Sequence, residues 1–201
     1  MIDFHMLVTR DINTFEANNN FLRLAGQELK AIDNRGKSVL YGRTKAYSET
    51  DASHVSFIND DDFTMLNKRH IEEIEAFKKD ALFTNSLFVT YKAWIPLCNT
   101  SITEYKKRYE DVSDLCPQQT IVLNRTLALD LLKEVSDILK QKGWCENTAD
   151  YVLRLLISKK ELWYYYPEIT YKWVNQSNGL HTTRVSLNSE IRKYFKHLKL
   201  S

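Results

Sequence analysis

The sequence predicts an α+β protein dominated by helices, and three observations lead there. Glycine and proline are scarce, five and three in 201 residues, which disfavours a fold that turns sharply and often. Apolar residues recur at three- and four-residue steps over 61–82, 101–115, 124–142 and 148–159, the period of one helix face. The alternating runs that mark strands are short and fall mainly in 38–58 and 164–186.

In chain order, residues 1–30 read either as a helix face through Phe15, Leu22, Leu24 and Ala25 or as a strand over 4–9. Residues 38–47 and 53–58 read as short strands joined by a polar loop. A helix is expected over 61–82, with Asp60, Asp61 and Asp62 as its N-cap and first-turn charges. Phe63, Leu66, His70, Ile74 and Phe77 form its inner stripe, which makes His70 a core histidine. The run SLFVTYKAWIPLC (86–98) suits a strand or a helix. A capping box, Ser101-x-x-Glu104, opens a helix to about 115. The helix over 124–142 ends at Gly143, with Trp144 behind it, the pattern of a left-handed C-cap. Another helix follows over 148–159, then an aromatic strand, a turn at Asn178-Gly179, and a last helix over 189–199. The boundary suggested by this order falls near 117–122. It gives a mixed region over 1–120 and a helical and hairpin region over 121–201, which can pack as one domain.

The order helix, tight turn, helix, hairpin, helix at the C-terminus is similar to a winged helix. The two-residue turn at Asn178-Gly179 pairs Trp173 with Arg184 and Tyr171 with Ser186 across the hairpin, which the resemblance makes a wing. Lys172, Trp173, His181 and Arg184 would then face a partner or a nucleic-acid backbone, together with Arg192, Lys193, Lys196 and Lys199 of the last helix. Residues 144–201 hold nine Lys or Arg against five Asp or Glu, a mild basic bias. The aromatic group Trp163–Tyr166, Tyr171 and Trp173 reads mainly as core packing, with one face available for a partner.

No glycine-rich phosphate loop, nucleophile elbow or zinc-protease motif is present, and no cofactor motif appears. The triplet Asp60–Asp62 lacks the spacing of a calcium loop and is read as a helix cap, so no metal ligand is assigned. Glu28-Leu-Lys30, with Asp33 nearby and Asp3 or Asp11 before it, is a fragment that nucleases use. Cys98, Cys116 and Cys145 form neither a disulfide framework nor a zinc module. The N-terminal segment lacks the apolar run of a signal peptide, and no run suits a membrane span, so the cytoplasm or nucleus is expected. Taken together, these features predict a non-catalytic subunit or adaptor that binds protein partners. Nucleic-acid binding through 121–201 is the alternative, and a motif-poor, nuclease-like enzyme the second.

Overall fold

The computed structural model describes residues 1–11, 14–89, 94–96, 121–160, 163–174 and 185–198. Its core is an eight-stranded mixed sheet with helices on both faces. The chain starts with strand β1 (Ile2–Val8), helix α1 (Phe15–Leu24), β2 (Leu29–Asp33), α2 (Val39–Glu49) and β3 (His54–Asn59). β1 pairs in parallel with both β2 and β3. The short β4 (Phe63–Thr64) and α3 (Lys68–Phe77) follow, then β5 (Ala81–Val89), β6 (Trp94–Pro96) and β7 (Ile121–Asn124). Helices α4 (Arg125–Lys142) and α5 (Ala149–Lys159), strand β8 (Tyr164–Val174) and helix α6 (Val185–His197) complete it. The strand order is β2-β1-β3-β7-β5-β8-β4, with β6 hung on β5.

Both faces of the central strands are buried, as a sheet covered on two sides requires. Phe4, Met6, Ile58 and Leu82 pack with Leu22 of α1 and Ile71 and Ile74 of α3. Leu7, Val55, Phe57, Phe83 and Leu123 point the other way, against α2, α4, α5 and α6. Each such side chain contributes about 1.5–3 kcal/mol when removed from water. α4 is the best-defined helix. Asn124 caps it by accepting from the Leu127 amide at 3.1 Å. Gly143 ends it at φ +66°, and the Trp144 amide turns back onto the Leu139 carbonyl at 3.0 Å.

Four expectations are corrected. The fold is α/β, built on one mixed sheet, and is not a mostly helical α+β fold. Residues 39–49 are helical rather than a strand, because Ser38 caps the turn by accepting from the Tyr41 amide and the 3.6-residue spacing buries Leu40, Ala46 and Tyr47. The helix expected from 61 starts only at Lys68, capped by Asn67. Phe63 and Leu66, which the spacing places on its stripe, lie in β4 and the following loop, and β4 pairs antiparallel with Tyr171–Lys172 of β8.

The winged-helix unit is absent for a related reason. β8 is no wing: it runs inside the sheet, parallel to β5, with Trp173 in register with Phe88. Ser186 belongs to α6 and cannot pair with Tyr171 as a strand residue. Local alternation identified β8 as a strand but could not say that its partner lies some eighty residues earlier. The Asn178-Gly179 turn and the helix expected over 101–115 lie outside the described residues. Among the described residues, no helix is long and apolar enough to cross a membrane.

Candidate functional site

β1, β2 and β3 run in parallel, so their carboxyl ends open on one edge of the sheet. The chain leaves β1 through α1 to reach β2 on one side, then returns through α2 to β3 on the other. α1 and α2 cover opposite faces. This reversal is a topological switch point, and in open α/β sheets the crevice outside the carboxyl ends at such a point is where ligands bind. Three segments reach it: Thr9-Arg10-Asp11 after β1, Asp33-Asn34-Arg35 at the end of β2, and Asp60-Asp61-Asp62 after β3.

The three consecutive aspartates are held quite differently. Asp60 is 5% exposed. Its Oδ2 accepts from the Thr9 amide at 2.7 Å and the Thr9 hydroxyl at 2.6 Å. Asp61 is more open, and its Oδ2 accepts from Arg10 Nη2 at 2.8 Å. The same nitrogen stands 3.6 Å from Asp60 Oδ1. Asp62 is turned inward and is 1% exposed. Its Oδ2 accepts from the Tyr171 hydroxyl at 2.6 Å and from Asn59 Nδ2 at 3.0 Å. Its carbonyl accepts from Asn18 Nδ2 at 2.9 Å and the Thr14 hydroxyl at 2.8 Å. The loop is thereby tied to α1 and to β8. Burial, reinforced by the Asp62 carboxylate, pushes the Tyr171 hydroxyl pKa well above its ordinary value, so that it stays a donor.

On the β2 side, Arg35 grips Asp33 through Nε and Nη2, both at 2.9 Å, and reaches Asp11 at 2.9 Å through Nη1. These hydrogen bonds hold the Asp33 carboxyl down at about 2. Asn34 is buried beside this pair. Its amide donates to the Val8 carbonyl at 2.9 Å, and its side chain lies against Gly42 of α2.

Among the described residues, no three His, Cys, Asp or Glu side chains converge on one point. Asp60 and Asp61 nevertheless share one guanidinium, which stands in for a cation between them. Two carboxylates are what a magnesium-type ion takes from protein when phosphate oxygens and water complete its shell. The donor set therefore fits a divalent cation shared with a phosphorylated ligand. It does not fit a cage made by protein alone.

The residues singled out from sequence lie elsewhere. Lys172 sits on β8 with its ammonium 5.5 Å from the centre of the Phe63 ring. Trp173 is the next strand residue. Arg192, Lys193 and Lys196 lie exposed on α6, with Arg192 donating to the Tyr151 hydroxyl. His181, Arg184 and Lys199 lie outside the described residues. Of the nuclease-like fragment, Lys30 meets Asp3, whereas Glu28 pairs with Arg23 at the surface. Sequence reasoning misses the crevice residues because Asp60–Asp62, standing before an apolar stripe, has the pattern of a helix cap. The signal that could have found them is a buried β-branched and aromatic run, Val55–Ile58, running straight into carboxylates.

No family model and no curated protein matches the sequence. Solved structures do match. The whole chain superposes on residues 1–349 of S. aureus TarS in complex with UDP-GlcNAc, with a TM-score of 0.57 and 12% identity, and it covers 67% of that chain. Against the crystal structure of S. aureus TarS the TM-score is 0.53 at 13% identity, with 100% of this chain and 40% of that chain covered. The chain thus spans two-thirds or less of the length of these proteins. The likeness is one of fold. It removes the winged-helix unit, and with it the adaptor and nucleic-acid-binding readings that leaned on that unit, because those residues are part of an α/β sheet of this type.

Proposed function

We propose that this chain binds a nucleoside diphosphate sugar in the crevice at the carboxyl ends of β1, β2 and β3 and transfers the sugar to an acceptor hydroxyl. The observation that carries this reading is the position of Asp60 and Asp61. They stand at the end of β3, opposite Thr9–Asp11 and Asp33, in a fold shared with a protein solved with UDP-GlcNAc. In such a transfer the bond from the anomeric carbon to the diphosphate oxygen breaks, a bond to the acceptor oxygen forms, and the acceptor hydroxyl gives up its proton to solvent or to the departing diphosphate. The diphosphate leaves carrying extra negative charge, which must be neutralised.

Asp61, with Asp60 behind it, would hold a divalent cation, and that cation would supply the neutralising charge. Asp33, kept ionised by Arg35, is a strong acceptor suited to the hydroxyls or imide of the nucleoside. Thr9 fixes Asp60, and the Tyr171–Asp62 pair fixes the loop, so the carboxylates meet the ligand already in place.

The test is calorimetric titration of the protein with UDP-, GDP-, ADP- and dTDP-sugars, with Mn2+ or with EDTA. Binding of one of them that requires the cation and weakens about tenfold or more in Asp61→Asn is expected. Failure of every one of these ligands to bind in the presence of Mn2+ overturns the reading.

A further inference from the structure

We propose that Arg10 is a charge-exchange residue. It neutralises Asp60 and Asp61 while the crevice is empty, and it moves to the diphosphate when a divalent cation takes its place between the two carboxylates. This rests on the nucleotide-sugar reading above.

Arg10 is the second residue after β1, and its side chain is half-exposed at the mouth of the crevice. One nitrogen, Nη2, serves both carboxylates, at 2.8 Å from Asp61 and 3.6 Å from Asp60. Among the described residues, no other cation pairs with either of them.

Arg10 is not needed to hold the loop. Thr9 secures the Asp60 carboxylate, the Thr14 amide donates to the Asp60 carbonyl at 3.1 Å, and Asn18 and Tyr171 secure Asp62. Its contribution is therefore charge. Asp60 spends its Oδ2 on Thr9, while its Oδ1 stands 3.6 Å from the guanidinium, an ion-pair contact beyond hydrogen-bonding range. A contact at that distance is held by charge alone, without a directional bond, so a closer cation can displace it. A small divalent cation between Oδ1 and Asp61 would approach both carboxylates more closely than one guanidinium nitrogen does. The released guanidinium, long, flexible and already at the mouth, presents a planar fork that matches phosphate oxygens.

Two opposite effects follow from one substitution. Arg10→Ala removes a competitor for the cation, so Mn2+ alone should bind roughly fivefold to tenfold more tightly, the size expected for one partly screened charge a few ångströms away. The same change removes a charged partner of the diphosphate, so UDP at saturating Mn2+ should bind about tenfold more weakly. Arg10→Lys keeps the charge but not the fork. Its Mn2+ affinity should stay near wild type and its UDP affinity should fall in between.

The experiment is Mn2+ titration followed by electron paramagnetic resonance, and UDP titration at saturating Mn2+ followed by calorimetry, on the wild type and both variants. Opposite shifts of the two affinities in Arg10→Ala support the exchange. Weakening of both would make Arg10 a structural clamp on the carboxylates and overturn the proposal. So would two unchanged affinities, or tighter Mn2+ binding without loss of UDP. A wild type that binds none of UDP, GDP, ADP and dTDP at any Mn2+ concentration overturns this inference through the reading beneath it. A wild type that binds UDP while Arg10→Ala does not differ from it overturns this inference alone.

Discussion

The hydroxyl of Tyr171 should be worth about 2 kcal/mol to the fold. Tyr171 is one of the largest fully buried side chains, and its hydroxyl donates to Asp62 at 2.6 Å while accepting from the Asn59 amide at 3.3 Å. Tyr171→Phe keeps the ring and its packing, so no cavity term enters. What it removes is one hydrogen bond to a buried carboxylate, typically about 1.5–3 kcal/mol, and a long second bond that adds little. Asp62 Oδ2 keeps Asn59 Nδ2 at 3.0 Å, which places the loss toward the middle of that range. In a chain of this size, a loss of about 2 kcal/mol lowers the melting temperature by about 4–8 °C. Urea denaturation of the two proteins should give a lower midpoint with an unchanged slope, since the buried surface is the same. A double cycle with Asp62→Asn should show coupling of about 1 kcal/mol or more. A loss under about 0.5 kcal/mol would refute the reasoning, because it would mean that water reaches Asp62 and that β8 does not anchor the loop.

Two further outcomes test other parts of the fold. His5, on β1, is 4% exposed, and neither of its ring nitrogens has a hydrogen-bond partner. Burial pushes its pKa down to about 4 despite the opposing pull of Asp3, so between pH 6.5 and 4 the unfolded chain binds a proton that the folded chain refuses. Stability should therefore fall by up to about 3 kcal/mol as pH drops through that window, and His5→Phe should remove this contribution in denaturation curves taken at several pH values. Gly42→Ala should destabilise the protein by about 1–3 kcal/mol in the same assay, although alanine favours helices. A Cβ there would stand 2.6 Å from Asn34 Oδ1 and 2.9 Å from Leu7 Cδ1, and Asn34 is itself buried.

Local chemistry in the sequence located several elements well and their arrangement poorly. α4 was legible because its stripe, its Asn124 cap and its Gly143 stop are all encoded within twenty residues. α2 was not, because Val39 and Tyr41 flanking Leu40, with Gly42 breaking the run, read as a short strand until Arg43 is seen buried against Phe57 and paired with Asp150 at 2.7 Å. That pairing spans 107 positions, and no local window contains it. β1 read as an ambiguous segment for a similar reason. A strand buried on both faces shows no alternation, and its two parallel neighbours arrive only through crossovers. The order of strands, and with it the crevice, is a property of these long-range pairings.

The acidic triplet shows why letters alone misled about the site. Asp60, Asp61 and Asp62 are chemically identical in the sequence, and as a run before an apolar stripe they satisfy the rule for a helix start. The turn after β3 separates them. Asp60 is drawn under β1 by Thr9, Asp62 is drawn under β8 by Tyr171, and Asp61 is left facing out toward Arg10. Two of the three carboxylates therefore spend hydrogen bonds on building the loop, and Asp61 is the one most open to an incoming ligand. Substituting Asp62 should act mainly on stability, and substituting Asp61 mainly on binding. Asp60, buried by one oxygen and open by the other, should move both. A helix cap would predict a different order, with the first residue dominant and all effects confined to stability. The separation of stability from binding across three neighbouring positions is thus the behaviour that distinguishes a ligand-facing loop from a cap.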